Sequence, residues 1–265
     1  MRRIAIDKGI LARRFSRSMA TYEGAAVVQK EMADRLIAVL LSASGRHRFD
    51  NVLELGCGTG LLTRQLLEHC RLSRLVLNDL VPECERTAAR ARRRKPKVVV
   101  RFVPGDMEIV EFPDGQDLVV SSAALQWAAD LRSLLKRVAG LLRPGGVLAL
   151  ATFGPSNLRE VSQLTGLSLR YWSVEEWRAA LAEDVEVLSM NEDTRTLWFP
   201  SARDVLRHLK QTGVNALDSR QWSPSKIRQF CRTYEAAFGK DGEVPLTYHP
   251  VFIVARKRLS RGGRG

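Results

Sequence analysis

Seven residues carry most of the chemistry this chain advertises: Glu54-Leu55-Gly56-Cys57-Gly58-Thr59-Gly60, set between an apolar run and an amphipathic stretch. Glycines at alternate positions let the backbone turn sharply and approach a ligand closely. A helix starting near Gly60 offers unpaired N–H groups to that ligand. A dinucleotide-binding turn is spaced GxGxxG and receives a pyrophosphate. Here the spacing is GxGxG, and Glu54 would repel such an anion, so the turn suits a cationic ligand. Asp79 ends the next apolar run and is followed by Leu80. A carboxylate there can accept hydrogen bonds from both hydroxyls of a ribose, or cap the helix that starts near Pro82. Two more polar turns follow later apolar runs: Gly105-Asp106-Met107-Glu108 and Ser121-Ser122-Ala123-Ala124-Leu125-Gln126-Trp127.

The elements that must position these turns alternate. Residues 51–55, 75–78, 98–102, 117–120 and 147–152 read as strands. Residues 61–70, 82–94 and 131–142 read as helices, the last stopped by Arg143-Pro144-Gly145-Gly146. This alternation predicts a parallel sheet with helices on both faces. Before it, residues 8–18 and 25–41 read as helices joined by a connection at 20–24. After it, 174–182, 201–210 and 224–238 read as helices, 185–199 as extended chain and 246–257 as a final strand. The expected organisation is one domain over residues 1–258. It has an N-terminal helical cap at about 8–45, and a helical insertion at about 200–242 that lies as a lid over the ligand end of the sheet. A basic, disordered Gly/Arg tail follows at 259–265.

The glycine turn, Asp79, the turns after the third and fourth strands, and Leu142 to Gly146 come in an order that resembles class I S-adenosylmethionine (SAM) dependent methyltransferases. The resemblance implies a Rossmann-like α/β fold with a seven-stranded, mostly parallel sheet. It implies SAM as methyl donor, with no metal. The carried-over cofactor contacts are Glu54, Gly56, Cys57, Gly58 and Gly60 in the turn, and Asp79 with Leu80 at the ribose. Asp106 and Met107 would meet the adenine, and Ser121 the methionine end. The ligand chemistry agrees, because SAM carries a sulfonium and an ammonium and no pyrophosphate.

A narrower resemblance runs along most of the chain. Its pieces are Phe15-Ser16-Arg17-Ser18 through Tyr22 and Gln29, Ala124-Leu125-Gln126-Trp127, and Thr152-Phe153-Gly154-Pro155. Thr196-Leu197-Trp198-Phe199, Leu206 through Gly213, and Pro245-Leu246-Thr247-Tyr248-His249 complete it. Together they are similar to the family of malonyl-acyl-carrier-protein methyltransferases of biotin synthesis. That resemblance implies transfer of the SAM methyl to the free carboxylate of a malonyl thioester on acyl carrier protein. The methyl ester so formed primes pimeloyl synthesis. A carboxylate is already ionised near neutral pH, so it needs placement and loss of its water rather than a strong base.

Tyr22 is the candidate to close over the methyl, with a core aromatic as the alternative. Gln126 and Trp127 are candidates to shape the acceptor pocket, or else pack behind the fourth strand. Tyr248, His249, Lys210, Arg203 and Arg207 have ordinary structural or solvated readings, and no residue is assigned to hold the carboxylate. An enzyme acting on a free small carboxylic acid would share the core. A nucleic-acid methyltransferase is suggested only by charge, because the fourth strand leads into Ser-Ser-Ala-Ala and not a base-flipping motif. A non-enzymatic scaffold would have no need of the intact turn and Asp79.

The chain has 42 Lys+Arg against 29 Asp+Glu, a net charge of +13. Such a surface speeds capture of an acidic partner, and an acidic carrier protein suits it. No nucleic-acid partner is expected. Part of the excess lies at 90–97 and 256–264. No apolar run approaches the ~18 residues of a membrane span, and the N-terminus has no apolar signal core. The expectation is therefore a cytoplasmic protein without a membrane partner. Cys57, Cys70, Cys84 and Cys231 form no CxxC pair, which argues against a zinc site or a disulfide framework.

Overall fold

The structure, a computed structural model, describes residues 2–4, 6–213 and 222–259. Beyond Leu259 the expected tail lies outside the described residues. A short strand β1 (Arg2–Arg3) leads into helix α1 (Lys8–Ala25), and α2 (Val27–Ser44) follows. Then come β2 (Arg48–Leu55), α3 (Leu61–His69), β3 (Arg71–Asp79), α4 (Glu85–Arg94), β4 (Val99–Pro104), β5 (Gln116–Ser122), α5 (Leu131–Leu141) and β6 (Leu142–Phe153). The last part holds α6 (Arg159–Thr165), β7 (Leu167–Ser168), α7 (Val174–Leu181), β8 (Val185–Glu192), β9 (Arg195–Phe199), α8 (Ala202–Gln211), α9 (Pro224–Phe238), β10 (Val244–Tyr248) and β11 (Pro250–Lys257).

One seven-stranded sheet runs in the order β4-β3-β2-β5-β6-β11-β8, with only β11 antiparallel to its neighbours. The expected doubly covered, mostly parallel sheet is thus what forms. Its central strands are apolar runs because both faces are covered. Successive side chains go to opposite layers. Val52, Leu75 and Leu118 meet α2 and α3 on one face, while Leu53, Val76 and Val119 meet α5 and α7 on the other. The shift from β3-β2 to β2-β5 reverses the strand order beside β2. That reversal opens a crevice at the carboxyl ends of the strands.

The expected break at residues 20–24 is absent. Asp7 caps α1 by accepting from the Ile10 N–H at 2.8 Å, and nothing stops the helix before Ala26. Gly24 lowers helix propensity but removes no hydrogen bond. Tyr22 therefore sits on the last turn of a helix. The extended chain at 185–199 divides into β8, in the large sheet, and β9. The expected strand at 246–257 divides at His249 into β10 and β11. β9 and β10 pair with each other, apart from the large sheet. The insertion between β8 and β11 thus brings a strand pair as well as α8 and α9. Among the described residues no helix is long and apolar enough to cross a membrane.

Glu160 ties α6 to the insertion. It is buried and accepts from both the backbone N–H (3.0 Å) and the hydroxyl of Thr247 on β10. Glu160→Ala leaves both donors without an acceptor. It should lower the unfolding free energy by about 1–3 kcal/mol in a urea titration.

Candidate active site

A cavity of about 890 Å³, open mouth included, lies at the carboxyl ends of β2, β3 and β5, beneath α1. Its floor is the turn after β2. Gly56, Gly58 and Gly60 all have positive φ, at 70°, 50° and 91°. At Gly56 the demand is steric as well, since an added Cβ would stand 2.3 Å from the Ala124 Cβ. The end of β3 holds this turn in place. Asp79 accepts the Gly58 N–H at 2.8 Å on one carboxylate oxygen and the Val81 N–H at 2.9 Å on the other. Asn78 adds the neighbouring strand, donating to the carbonyls of Val103 (2.9 Å) and Gly105 (3.0 Å).

Three acids line this space, Glu54, Asp79 and Asp106, and the first two are the more deeply buried. Asp79 is 7% exposed, and burial raises its pKa. Glu54 is 1% exposed and its carboxyl is pushed up to about 8 by burial, against an opposing hydrogen bond from the Thr63 hydroxyl at 2.7 Å. The cation on the wall, Lys8, is engaged elsewhere, 3.0 Å from Asp106 and 2.6 Å from Glu108. The acid pair is therefore left to a ligand. Among the described residues, no group of three or more His, Cys, Asp or Glu could hold a metal ion.

Of the residues singled out in the sequence, Tyr22, Glu54, Gly56, Cys57, Gly58, Asp79, Leu80, Asp106, Met107 and Trp127 line the cavity. Gly60 stands one step back, as the residue before α3, packed on Thr87. Ser121 does not reach the cavity. It is fully buried and its hydroxyl donates to the Leu55 carbonyl at 2.9 Å, while the next residue, Ser122, lines the space. Gln126 turns its amide onto the Ala123 carbonyl at 2.7 Å, behind the wall. Tyr248 is buried with its hydroxyl 2.7 Å from His208 Nε2, and His249 is a strap between Ser156 and Glu192. Arg203, Arg207 and Lys210 are exposed on α8.

Gln29 was not singled out as a site residue. It is 3% exposed, lines the cavity, and its Oε1 has no partner among the described residues. The signal lay in the sequence, as a glutamine on the otherwise apolar stripe of α2. Thr59 Oγ1 and Ser122 Oγ are also buried, unpartnered and on the wall. Ala123 takes φ 53°, unusual outside glycine, where β5 turns into the cavity. Burial, then the charge of Asp79, raises the Tyr22 pKa well above the ordinary phenol range. Burial, and then the nearby Tyr22 and Tyr171, does the same for Tyr248. Both phenols stay protonated.

A methyltransferase-domain model matches residues 53–150, the segment that supplies the glycine turn and Asp79. The chain is 40% identical over 254 residues to a malonyl-acyl-carrier-protein O-methyltransferase of Chlorobium luteolum, spanning 95% of this chain and 96% of that protein. The chain belongs to this family. A family member from Bacteroides thetaiotaomicron is 38% identical over 263 residues, spanning 96% and 99% of the two chains. Among solved structures, the N-methyltransferase NodS of Bradyrhizobium japonicum in complex with S-adenosyl-L-homocysteine superposes with a TM-score of 0.51. It is 18% identical and covers 89% of this chain and 98% of that one. As a malonyl-acyl-carrier-protein O-methyltransferase family member, the chain matches its relatives well beyond residues 53–150. That extra reach includes α1 and α2, which bring Tyr22 and Gln29 to the cavity.

Glu54 makes stability depend on pH with a definite sign. Its native carboxyl is raised from 4.5 to about 8, so the native state holds a proton that the unfolded chain has released. Stability should therefore fall as pH rises from about 4.5 through about 8. Glu54→Gln should flatten that fall when melting temperatures of the ligand-free protein are followed between these limits. Parallel curves for the two proteins would contradict the assignment.

Proposed function

We propose that this protein transfers the methyl group of SAM to the free carboxylate of a malonyl thioester on acyl carrier protein. The product methyl ester would prime pimeloyl synthesis for biotin, in the cytoplasm. One observation carries the reading: similarity to the named relatives continues through α1, α2 and the insertion, outside the shared methyltransferase segment. Of those elements, α1 and α2 supply Tyr22 and Gln29 to the cavity wall, where an acceptor would be chosen.

The residues present fit SAM. Buried Glu54 and Asp79 lack a cation of their own, and the glycine turn leaves room for a ligand to approach the backbone. The unpartnered atoms of Gln29, Thr59 and Ser122 await hydrogen bonds. Asp79, on the cavity wall, is the carboxylate placed to accept from the ribose hydroxyls. Asp106 and Met107 take the adenine, and Glu54 favours the cationic amino-acid end. SAM supplies an electrophilic methyl on a sulfonium. Transfer of that methyl to an ionised acceptor oxygen would break the sulfur–carbon bond, leave the neutral thioether and cancel the two opposite charges. No proton moves, so no general base is required. Tyr22, Gln29 and Trp127 orient the acceptor, and α1 covers the cavity against water. Excluding water favours the cancellation of charge.

Radiolabelled SAM should label malonyl-carrier protein in preference to free diacids and RNA when all are offered in parallel; label on RNA alone would overturn the reading. Asp79→Ala should weaken SAM binding by about 1–3 kcal/mol, as for a lost charged hydrogen-bonding group. Unchanged affinity by calorimetry would remove the ribose role. Tyr22→Phe should lower turnover more than SAM affinity, and wild-type turnover would remove Tyr22 from the acceptor site.

A further inference from the structure

We infer that the groove between α1 and α8 is the surface on which the acidic acyl carrier protein docks, an inference that rests on the malonyl-carrier reading above. The groove encloses about 1230 Å³ on the outer side of α1. Its floor is β9, with Trp198 46% exposed in the middle. A large aromatic side chain left this open is the type of anchor that interfaces bury.

One cation, Arg207, lines the groove itself, and further cations lie beside it on the same faces of α1 and α8. On α1, Arg13 and Arg17 precede the groove-lining Thr21 and Gly24 at spacings of four, four and three residues, which puts all four on one helix face. Both arginines are exposed. On α8, Arg203, Arg207 and Lys210 repeat at helical spacing and are exposed as well. Arg207 lines the groove, bonded through one nitrogen to Asp204. Arg17 and Lys210 have no acidic partner among the described residues. An aromatic anchor flanked by two rows of cations matches a partner with an acidic face, where the charges guide the encounter and the anchor holds it.

The groove also sits where a tethered substrate needs it. α1 is a shared wall, with Thr21 facing the groove and Phe15 and Tyr22 facing the cavity. A helix is about 10 Å thick, a short detour for a flexible thioester arm. The end of α8 packs directly on α1. There Gly213 lies so close that an added Cβ would stand 3.1 Å from Ser18 Oγ and 3.4 Å from the Phe15 ring. The other dense basic cluster, Arg92 to Arg94, does not qualify. It ends α4, which runs back from the tip of β3, so it lies at the far end of the sheet from the cavity. Two of its three arginines are already paired, with Glu85 and Glu68.

The test compares two acceptors, malonyl-carrier protein and malonyl-pantetheine, which offers the same thioester without the protein. The triple variant Arg17→Glu, Arg207→Glu, Lys210→Glu should raise KM for the carrier substrate by about tenfold or more, the range for reversing interface charges. Its kinetics with malonyl-pantetheine and its SAM affinity should stay at wild-type values. Trp198→Ala should show the same selectivity. A control with Arg92, Arg93 and Arg94 each changed to Glu should leave both substrates unaffected. The docking surface is overturned if the triple variant keeps its carrier KM, if both acceptors suffer equally, or if only the α4 control raises that KM. Failure of the wild-type protein to methylate either thioester would instead sink the functional reading on which the inference rests.

Discussion

One buried carboxylate holds the ligand end of this protein together. Asp79 takes the Gly58 N–H on one oxygen and the Val81 N–H on the other, so the turn after β2 and the turn after β3 cannot move independently. The Thr87 hydroxyl closes the loop by donating to the Gly58 carbonyl at 2.7 Å. Three left-handed glycines are tolerable only because this network fixes them, and their missing side chains let Ala124 and Phe15 come close. The same carboxylate is then poised at the cavity wall. That structural duty fixes the turn whether or not anything enters the cavity, and the proposed ribose contact would fall on the same side chain.

The electrostatics follow from that placement. A buried acid with no cation beside it is costly, and here two of them, Glu54 and Asp79, share one cavity. The cation nearby, Lys8, is committed to Asp106 and Glu108. An anion would be unfavourable beside these acids, whereas a sulfonium compound favours their ionised forms. The proposed chemistry uses this in the other direction, because the reaction turns a cation and an anion into two neutral products. A dry cavity with fixed hydrogen bonds then suffices, and protonated phenols such as Tyr22 serve better than a base.

The sheet was legible because strands covered on both faces must be apolar throughout, and the turns between them are punctuated by glycine and proline. The glycine turn and Asp79 were legible for a related reason, since few other residues can occupy such a corner. What escaped notice depends on direction and on distant partners. Ser121 and Ser122 differ only in which face of β5 they occupy, and an apolar run does not give that phase. The continuation of α1 through Tyr22 looked like a break because Gly24 is a poor helix former, yet the capped helix carries past it. β9 and β10 are recognisable as a pair only once their long-range register exists. Gln29 was readable in principle as a polar residue on a buried stripe.

The central claim is that a buried acid pair receives a cationic nucleotide. Calorimetry of SAM binding in buffers of different ionisation enthalpy tests it most directly. Near pH 7 Glu54 is protonated in the empty site, because its carboxyl is raised to about 8. A bound cation favours its ionised form, so binding should expel up to about one proton per site and tighten as pH rises towards 8. Binding without proton release, at an affinity that does not change with pH, would contradict the account.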